Sequence, residues 1–264
     1  MTGGGTSVVP VPVDTGRRTH AIAVDGLTGP VGTPVIHDVT LAVLAGRTHV
    51  VLGAMHSGKS LLLRLILGLQ RSRHGTVTID DAVFDMARPN ESALAQARRR
   101  VGVVFDSSAL VSRLTLLQNV ELPLLEHTTM DADAARDVAE RLLGDVGLRR
   151  DIERTPDQAT RLDRRLVALA RALALEPMLL LIDEPGHGLD ADAAAELDDA
   201  LFALRQRFAC AALICSQEVR YAFRAPESVS ILAAGAVVAN GTLDALQASP
   251  VAIVRRLVDR RGAA

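Results

Sequence analysis

The chain has 264 residues, and its 29 Lys and Arg against 31 Asp and Glu leave a formal net charge of −2. Its apolar content, 48%, is that of a globular protein, with one tyrosine, five phenylalanines and no tryptophan. That length can bury one substantial core, and the near-neutral balance argues against a general nucleic-acid binder. Arginine clusters at Arg98-Arg99-Arg100, Arg164-Arg165 and Arg255-Arg256 read as solvated helix faces, or else as docking patches. Cys210 and Cys215 lack metal-ligand spacing and read as small buried residues in a reducing cytosol. The N-terminus carries glycines without a basic-then-apolar pattern, so no signal peptide is expected. The longest apolar stretch, Leu166 to Ile182, is broken by Arg171, Glu176 and Pro177 and makes no clean membrane span. A soluble protein is expected.

In chain order, residues 1–18 are rich in Gly, Thr, Val and Pro and read as a disordered tail. Ala21 to Val24 and Val39 to Val43 read as strands separated by a Gly/Pro turn at Gly29 to Thr33. The β-branched run Thr48 to Leu52 leads into Gly53-Ala54-Met55-His56-Ser57-Gly58-Lys59-Ser60, and a helical run, Leu61 to Leu67, leads out. The octet reads G-x-x-x-x-G-K-S/T, a phosphate-binding loop in its required strand–loop–helix setting. Its glycines let backbone N–H groups turn inward on phosphates, and the helix start adds free N–H groups with partial positive charge. Lys59 bridges the β- and γ-phosphates in this reading, Ser60 ligates Mg²⁺, and Leu61 continues the nucleotide-binding segment. Lys59 is also the only lysine in the chain. The planar fork of arginine does not replace a compact ammonium at such a site.

Beyond the loop, Gly75 to Ile79 and Val83-Phe84 read as short strands and Ser92 to Arg100 as a helix. The apolar run Val101 to Phe105 suits a buried parallel strand. From Asp106 to about Leu173 the character is helical, beginning near Asn119 to Leu125. Helices are expected over Asp131 to Val146, capped by Asp131 or Asp133, and over Arg164 to Leu175. Met178 to Ile182 returns as an apolar strand that ends in Asp183-Glu184. Beside a phosphate loop, Asp183 fits the Mg²⁺ shell, and Glu184 fits the group that orients or deprotonates an attacking water. Two acids that merely terminate a strand are the alternative. Ala211 to Cys215 reads as a buried strand, Val229 to Leu232 and Ala236 to Ala239 as a hairpin, and Leu243 to Asp259 as a terminal amphipathic helix.

From Ile22 to Leu257 the chain resembles the ATP-binding subunits of ABC transporters. The resemblance rests on the phosphate loop, on Leu181-Ile182-Asp183-Glu184-Pro185, on Ala170 to Pro177 before it, and on Leu189-Asp190 after it. Within that family Asn119 to Thr128 and Gly241 to Gln247 look most similar to the Mla/Mce-type lipid-transport ATPases. The resemblance implies an α/β fold, the P-loop NTPase (ABC ATPase) fold. It has a mixed sheet core, an inserted helical subdomain at about 107–175 and an N-terminal antiparallel β portion, all within one domain over 19–264. It implies ATP and Mg²⁺ as cofactors, a membrane permease and a second ATP-binding subunit as partners, and a place on the inner face of the cell membrane. No nucleic-acid partner is implied.

Three motifs depart from that family. Its dimer closes a signature, Leu-Ser-Gly-Gly, over the partner's nucleotide, and the equivalent positions here are Ala159-Thr160-Arg161-Leu162, followed by Asp163. Both glycines are gone; Arg161 either touches the opposing phosphate or is a solvent-facing residue at a helix start. Asp106 stands where the family has its Q-loop glutamine. A carboxylate roughly 5 Å from a γ-phosphate charge costs about 3 kcal/mol at an effective dielectric near 20, unless a metal lies between them. Asp106 therefore either ligates Mg²⁺ or weakens ATP binding. Gln217 takes the place of the switch histidine and can still donate to a phosphate oxygen. No aromatic residue precedes Phe84, so adenine needs another platform, with His20 and His37 as candidates. The expectation is an ATP-binding subunit with slow or partner-dependent hydrolysis, as a homodimer or a heterodimer. A hydrolytically inert regulatory subunit and an unrelated phosphate-loop kinase are the alternatives.

Overall fold

The computed structural model describes residues 20–32, 35–224 and 226–248. The expected tail and the part of the expected terminal helix beyond residue 248 lie outside them. In chain order the elements are β1 (His20–Gly29), β2 (Ile36–Leu44), β3 (Thr48–Leu52), α1 (Lys59–Ile66), β4 (His74–Ile79), β5 (Ala82–Asp85), α2 (Glu91–Arg98), β6 (Val101–Val104) and α3 (Leu116–His127). There follow α4 (Ala132–Asp145), α5 (Arg161–Leu173), β7 (Leu179–Asp183), α6 (Ala191–Arg207), β8 (Ala211–Ser216), α7 (Arg220–Phe223), β9 (Ser228–Ala233), β10 (Ala236–Gly241) and α8 (Leu243–Gln247). They fall into two compact units, one of residues 1–89 and 215–264, the other of residues 90–214.

The first unit holds the N-terminal antiparallel portion, a four-stranded sheet in the order β2-β1-β4-β5. β1 is its centre, pairing Val24 with Leu41 on one side and with Val77 on the other. The same unit holds mixed pairing: β3 runs parallel to β9, Val50 opposite Val229, and β9 runs antiparallel to β10. Every residue of β3 is buried, as a strand covered on both faces requires.

That burial includes His49, whose ring nitrogens meet Ser228 Oγ at 2.6 Å and Ser230 Oγ at 2.9 Å. A neutral imidazole donates to one hydroxyl and accepts from the other, so the polar ring is satisfied inside the sheet. Burial pushes the His49 pKa down to about 4.

In the second unit β6 and β7 are parallel neighbours, Val103 opposite Leu181, and all of β7 is buried. Helices α2 to α6 share one device at their starts: Asn90, Thr115, Asp131, Thr160 and Asp190 each accept a backbone N–H of the first turn through a side-chain oxygen. The cap at Thr160 starts α5 at Arg161, three residues ahead of the expected Arg164, because Asp163 returns the favour to the Thr160 N–H at 2.9 Å. Asn119 is wholly buried and bonds Val111 and Thr115 backbone, fixing the approach to α3. The periodic reading missed α6, although Leu197, Leu201 and Leu204 share its buried face behind the Asp190 cap. Both cysteines are buried, and neither forms a disulfide among the described residues. No described helix is long and apolar enough to cross a membrane.

The imidazole gives a pH test. Its folded pKa of about 4 lies below its ordinary 6.5, so the unfolded chain takes the proton first. Stability should be complete above pH 6.5, decline as pH falls through that value, and level off near 4, by up to about 3 kcal/mol. Urea unfolding of wild type and His49→Gln between pH 7 and 4 checks this; equal slopes in the two would place the acid sensitivity elsewhere.

Candidate functional site

In the first unit, β3 delivers the chain at Gly53 and α1 takes it away at Lys59. The loop between is set by backbone. Gly53 N–H donates to the Ser216 carbonyl at 3.1 Å, and the Ser57 carbonyl accepts from Gly235 N–H at 3.1 Å. Gly235 in turn accepts from His37 N–H at 2.9 Å. Two glycines are obligatory. A Cβ at Gly53 would run into Ser57 Oγ and come within 2.6 Å of the Leu232 carbonyl. Gly58 has φ +105, and a Cβ there would meet Ile36 Cδ1 at 2.7 Å.

Gly58 begins α1 with no side-chain cap, unlike α2 to α6, which leaves first-turn N–H groups open to an incoming acceptor. Lys59 is 5% exposed and donates to the carbonyls of Gly53 at 2.8 Å and Ala54 at 2.9 Å. Its ammonium is thus curled over the loop. Ser57 Oγ is buried with no hydrogen-bond partner among the described residues. A buried orphan hydroxyl, an uncapped helix and a curled ammonium fit a phosphate. Met55 and His56 stand exposed on the loop, Ala54 beside them, while Ser60 and Leu61 are half-buried in the first turn. Gln217 follows Ser216 directly and is half-buried, so it stands one residue from the carbonyl that anchors the loop's first glycine. His37 lies on the same rim and is exposed; its Cδ2 sits 3.3 Å from where a Gly235 Cβ would be. His20 opens β1 and is half-buried.

In the second unit, β7 ends at Asp183, which is 3% exposed, and Glu184 follows half-buried with φ 45. A non-glycine residue in the left-handed region costs of order 1–3 kcal/mol, a strain that concentrates at functional positions. The Asp183 carboxylate is a hard oxygen donor, of the kind that suits Mg²⁺. Among the described residues no group of three or more His, Cys, Asp or Glu could hold a metal by itself.

Two of the three altered motifs, Asp106 and the 159–162 segment, lie in this unit. Thr160 caps α5, where the family has serine. Arg161 is exposed at the start of α5, as the second alternative has it, and donates to the Gly188 carbonyl at 2.7 Å. Arg165 overturns its reading as part of a solvated face: it is 2% exposed, and donates to Phe105 O at 2.7 Å and to Asp106 Oδ1 at 2.6 Å. A buried guanidinium needs an anion and carbonyls, and Asp106 and Phe105 supply them. His187 Nδ1 also meets Asp106 Oδ1 at 3.0 Å. Partial burial works against the Asp106 carboxylate, but hydrogen bonds from Arg165 and His187 outweigh it and hold the carboxyl below its ordinary range. Asp106, Arg161, Arg164, Arg165 and His187 line a cavity of about 270 Å³. His187 is not singled out in the sequence and Arg165 only as part of a basic cluster; the retrievable signal is a carboxylate at 106 in a chain rich in arginine.

Residues 36–187 match the family described as ABC transporter. The chain is 32% identical over 242 residues to a probable ribonucleotide transport ATP-binding protein, mkl, of Mycobacterium tuberculosis, covering 91% of this chain and 67% of that one. It is 38% identical to the lipoprotein-releasing system ATP-binding protein LolD of Anaeromyxobacter dehalogenans, over 82% of this chain and 90% of that one. It is 32% identical to the intermembrane phospholipid transport system ATP-binding protein MlaF of Escherichia coli, over 85% and 83%. Among solved structures, the dimeric ATP-binding cassette MJ0796 bound to ADP and Pi superposes with a TM-score of 0.75 at 26% identity, covering 84% of this chain and 98% of that one.

Because the loop is closed by backbone, Gly58→Ala should cost about 1–3 kcal/mol through forced φ and the Ile36 clash. A lowered urea midpoint at unchanged m-value is the expected result, and an unchanged midpoint would show that the loop can relax.

Proposed function

This chain belongs to the ABC transporter family as an ATP-binding subunit with the P-loop ABC ATPase fold, and we propose that it binds Mg-ATP and hydrolyses it, slowly or only beside a partner, to drive a membrane permease. The observation that carries the reading is the loop from Gly53 to Ser60: uncapped α1, buried Lys59 and the orphan Ser57 hydroxyl form a cradle for an anion. Bound Mg²⁺ supplies charge neutralisation for the transferred phosphate. In this reading Lys59 draws the β- and γ-phosphates into the cradle and Ser60 and Asp183 present oxygens to the metal. Glu184 holds the attacking water or takes its proton, and Gln217 donates to a phosphate oxygen. His37 is the better base platform of the two histidines, being exposed on the rim of the loop.

We take residues 19–264 as one ATP-binding domain with a helical subdomain at about 107–175. It works in the cytoplasm, held to the inner membrane face through its permease and paired with a second ATP-binding subunit. In a homodimer both sites carry the altered signature; in a heterodimer with an intact signature one site retains every part. Lipid cargo is the finer reading, supported by the names of LolD and MlaF and by the Asn119 to Thr128 segment; the name of mkl points to ribonucleotides instead. The second reading, a subunit that binds ATP without useful turnover, is favoured by Gln217 and by Arg161 and Leu162 in place of glycines.

Isothermal titration of Lys59→Ala should find nucleotide binding abolished; an unchanged ATP affinity would sink the phosphate-loop assignment. Glu184→Gln should keep binding and lose turnover roughly a hundredfold or more. If wild type binds ATP tightly yet turns over no faster than this variant, alone and with its partner subunit, the inert reading stands.

A further inference from the structure

Two of the five residues after β6 adopt a conformation that the local sequence does not favour. Ser108 and Ala109 both lie in the left-handed region, with φ 60 and φ 46, and neither is glycine. Two arginines of α5 hold them there. Arg171 donates to the Ser108 carbonyl at 2.9 Å and to the Ala109 carbonyl at 2.8 Å, and burial lowers its pKa. Arg165 grips the other end through Phe105 O and Asp106 Oδ1 and reaches the His187 carbonyl at 3.4 Å. His187 closes the ring by meeting the same Asp106 oxygen, and Arg161 bonds the carbonyl next to it, at Gly188. The loop after β6 and the loop after β7 are therefore both tied to α5 by guanidinium groups.

The pair at the centre is asymmetric. The Arg165 side chain is 3% exposed, whereas that of Asp106 is 44% exposed. Removing the carboxylate strands a buried cation, which is costly, while removing both partners is far milder.

We propose that Asp106 is a positioning residue and not a metal ligand: with Arg165 and His187 it forms an ionic latch that holds the strained 106–109 loop and the 187–188 loop against α5. The carboxylate charge that would otherwise repel a triphosphate is consumed within this unit, so the change at 106 and the arginine at 165 act together. The latch itself rests on contacts of the nucleotide-free protein; only its meaning for ATP rests on the function proposed above.

The test is amide hydrogen exchange on the full chain without nucleotide or metal, for wild type, Asp106→Asn, Asp106→Glu, Arg165→Gln and the double variant Asp106→Asn/Arg165→Gln. Exchange at 106–109 and 187–188 should rise roughly tenfold in Asp106→Asn, with the β3 and β7 amides unchanged. It should stay near wild type in Asp106→Glu, which keeps the charge. The double variant should be no faster than Asp106→Asn and should melt higher than it, since no buried cation remains unpaired. Unchanged exchange in Asp106→Asn, or a double variant that melts lower than both singles by their sum, would overturn the latch. A parallel ATP titration with Mg²⁺ and with EDTA should give the same Mg²⁺ dependence in Asp106→Asn as in wild type and a reduced one in Asp183→Asn. Equal loss in both variants would make Asp106 a metal ligand and overturn the proposal. Absence of ATP binding in wild type would count against the proposed function alone, and the exchange data would still decide the latch.

Discussion

A lysine ammonium buried over its own loop carbonyls is the constraint on which the first unit depends. Lys59 sits at the first position of a helix that has no side-chain cap, and its charge adds to the partial positive charge of that helix end. Two like charges brought together under cover are tolerable only where strong acceptors are at hand. The Gly53 and Ala54 carbonyls serve in the free protein, and phosphate oxygens serve better. The surrounding backbone contacts, from Ser216, Gly235 and His37, secure this geometry without asking any side chain to do it. That explains why the octet tolerates Ala, Met and His at its middle positions yet not at its glycines.

Much of this was legible in the sequence because the loop is a local device. Strand, glycines, lysine and helix follow one another within about two turns, so spacing alone reports them. Buried strands were legible for a similar reason: β3, β7 and β8 read as unbroken apolar runs, and each is buried along its whole length. His49 is the instructive exception. A histidine within such a run reads as a polar interruption, and only the serines at 228 and 230, some 180 residues away, make it compatible with the sheet.

What stayed hidden is everything set by contacts between distant segments. Arg164-Arg165 has the look of a solvated pair at a helix start, and for Arg164 that is half right, since it bonds the Pro156 and Ala159 carbonyls at the surface. Arg165 is buried because a carboxylate 59 residues earlier awaits it, and periodicity carries no information about that. The start of α5 was misplaced for a smaller reason. The apolar pattern begins at Leu166, but the helix begins where Thr160 and Asp163 cap each other, ahead of any apolar residue. Asp163 also accepts from Arg154 at 2.7 Å, so the acid that follows the signature segment is employed in folding.

The departures from the family pattern therefore differ in kind. Gln217 and Leu162 are simple replacements, each changing what one position offers a nucleotide. Asp106 and Arg161 instead belong to a set with Arg165 and His187, because each partner's charge or carbonyl gives the next a reason to be where it is. Reversing one member alone leaves a guanidinium or a carboxylate in a place built for its counterpart, and the cost of an uncompensated buried charge exceeds the value of the pair itself. In this chain the four side chains are mutually satisfied and centred on a loop that carries two non-glycine residues in the left-handed region.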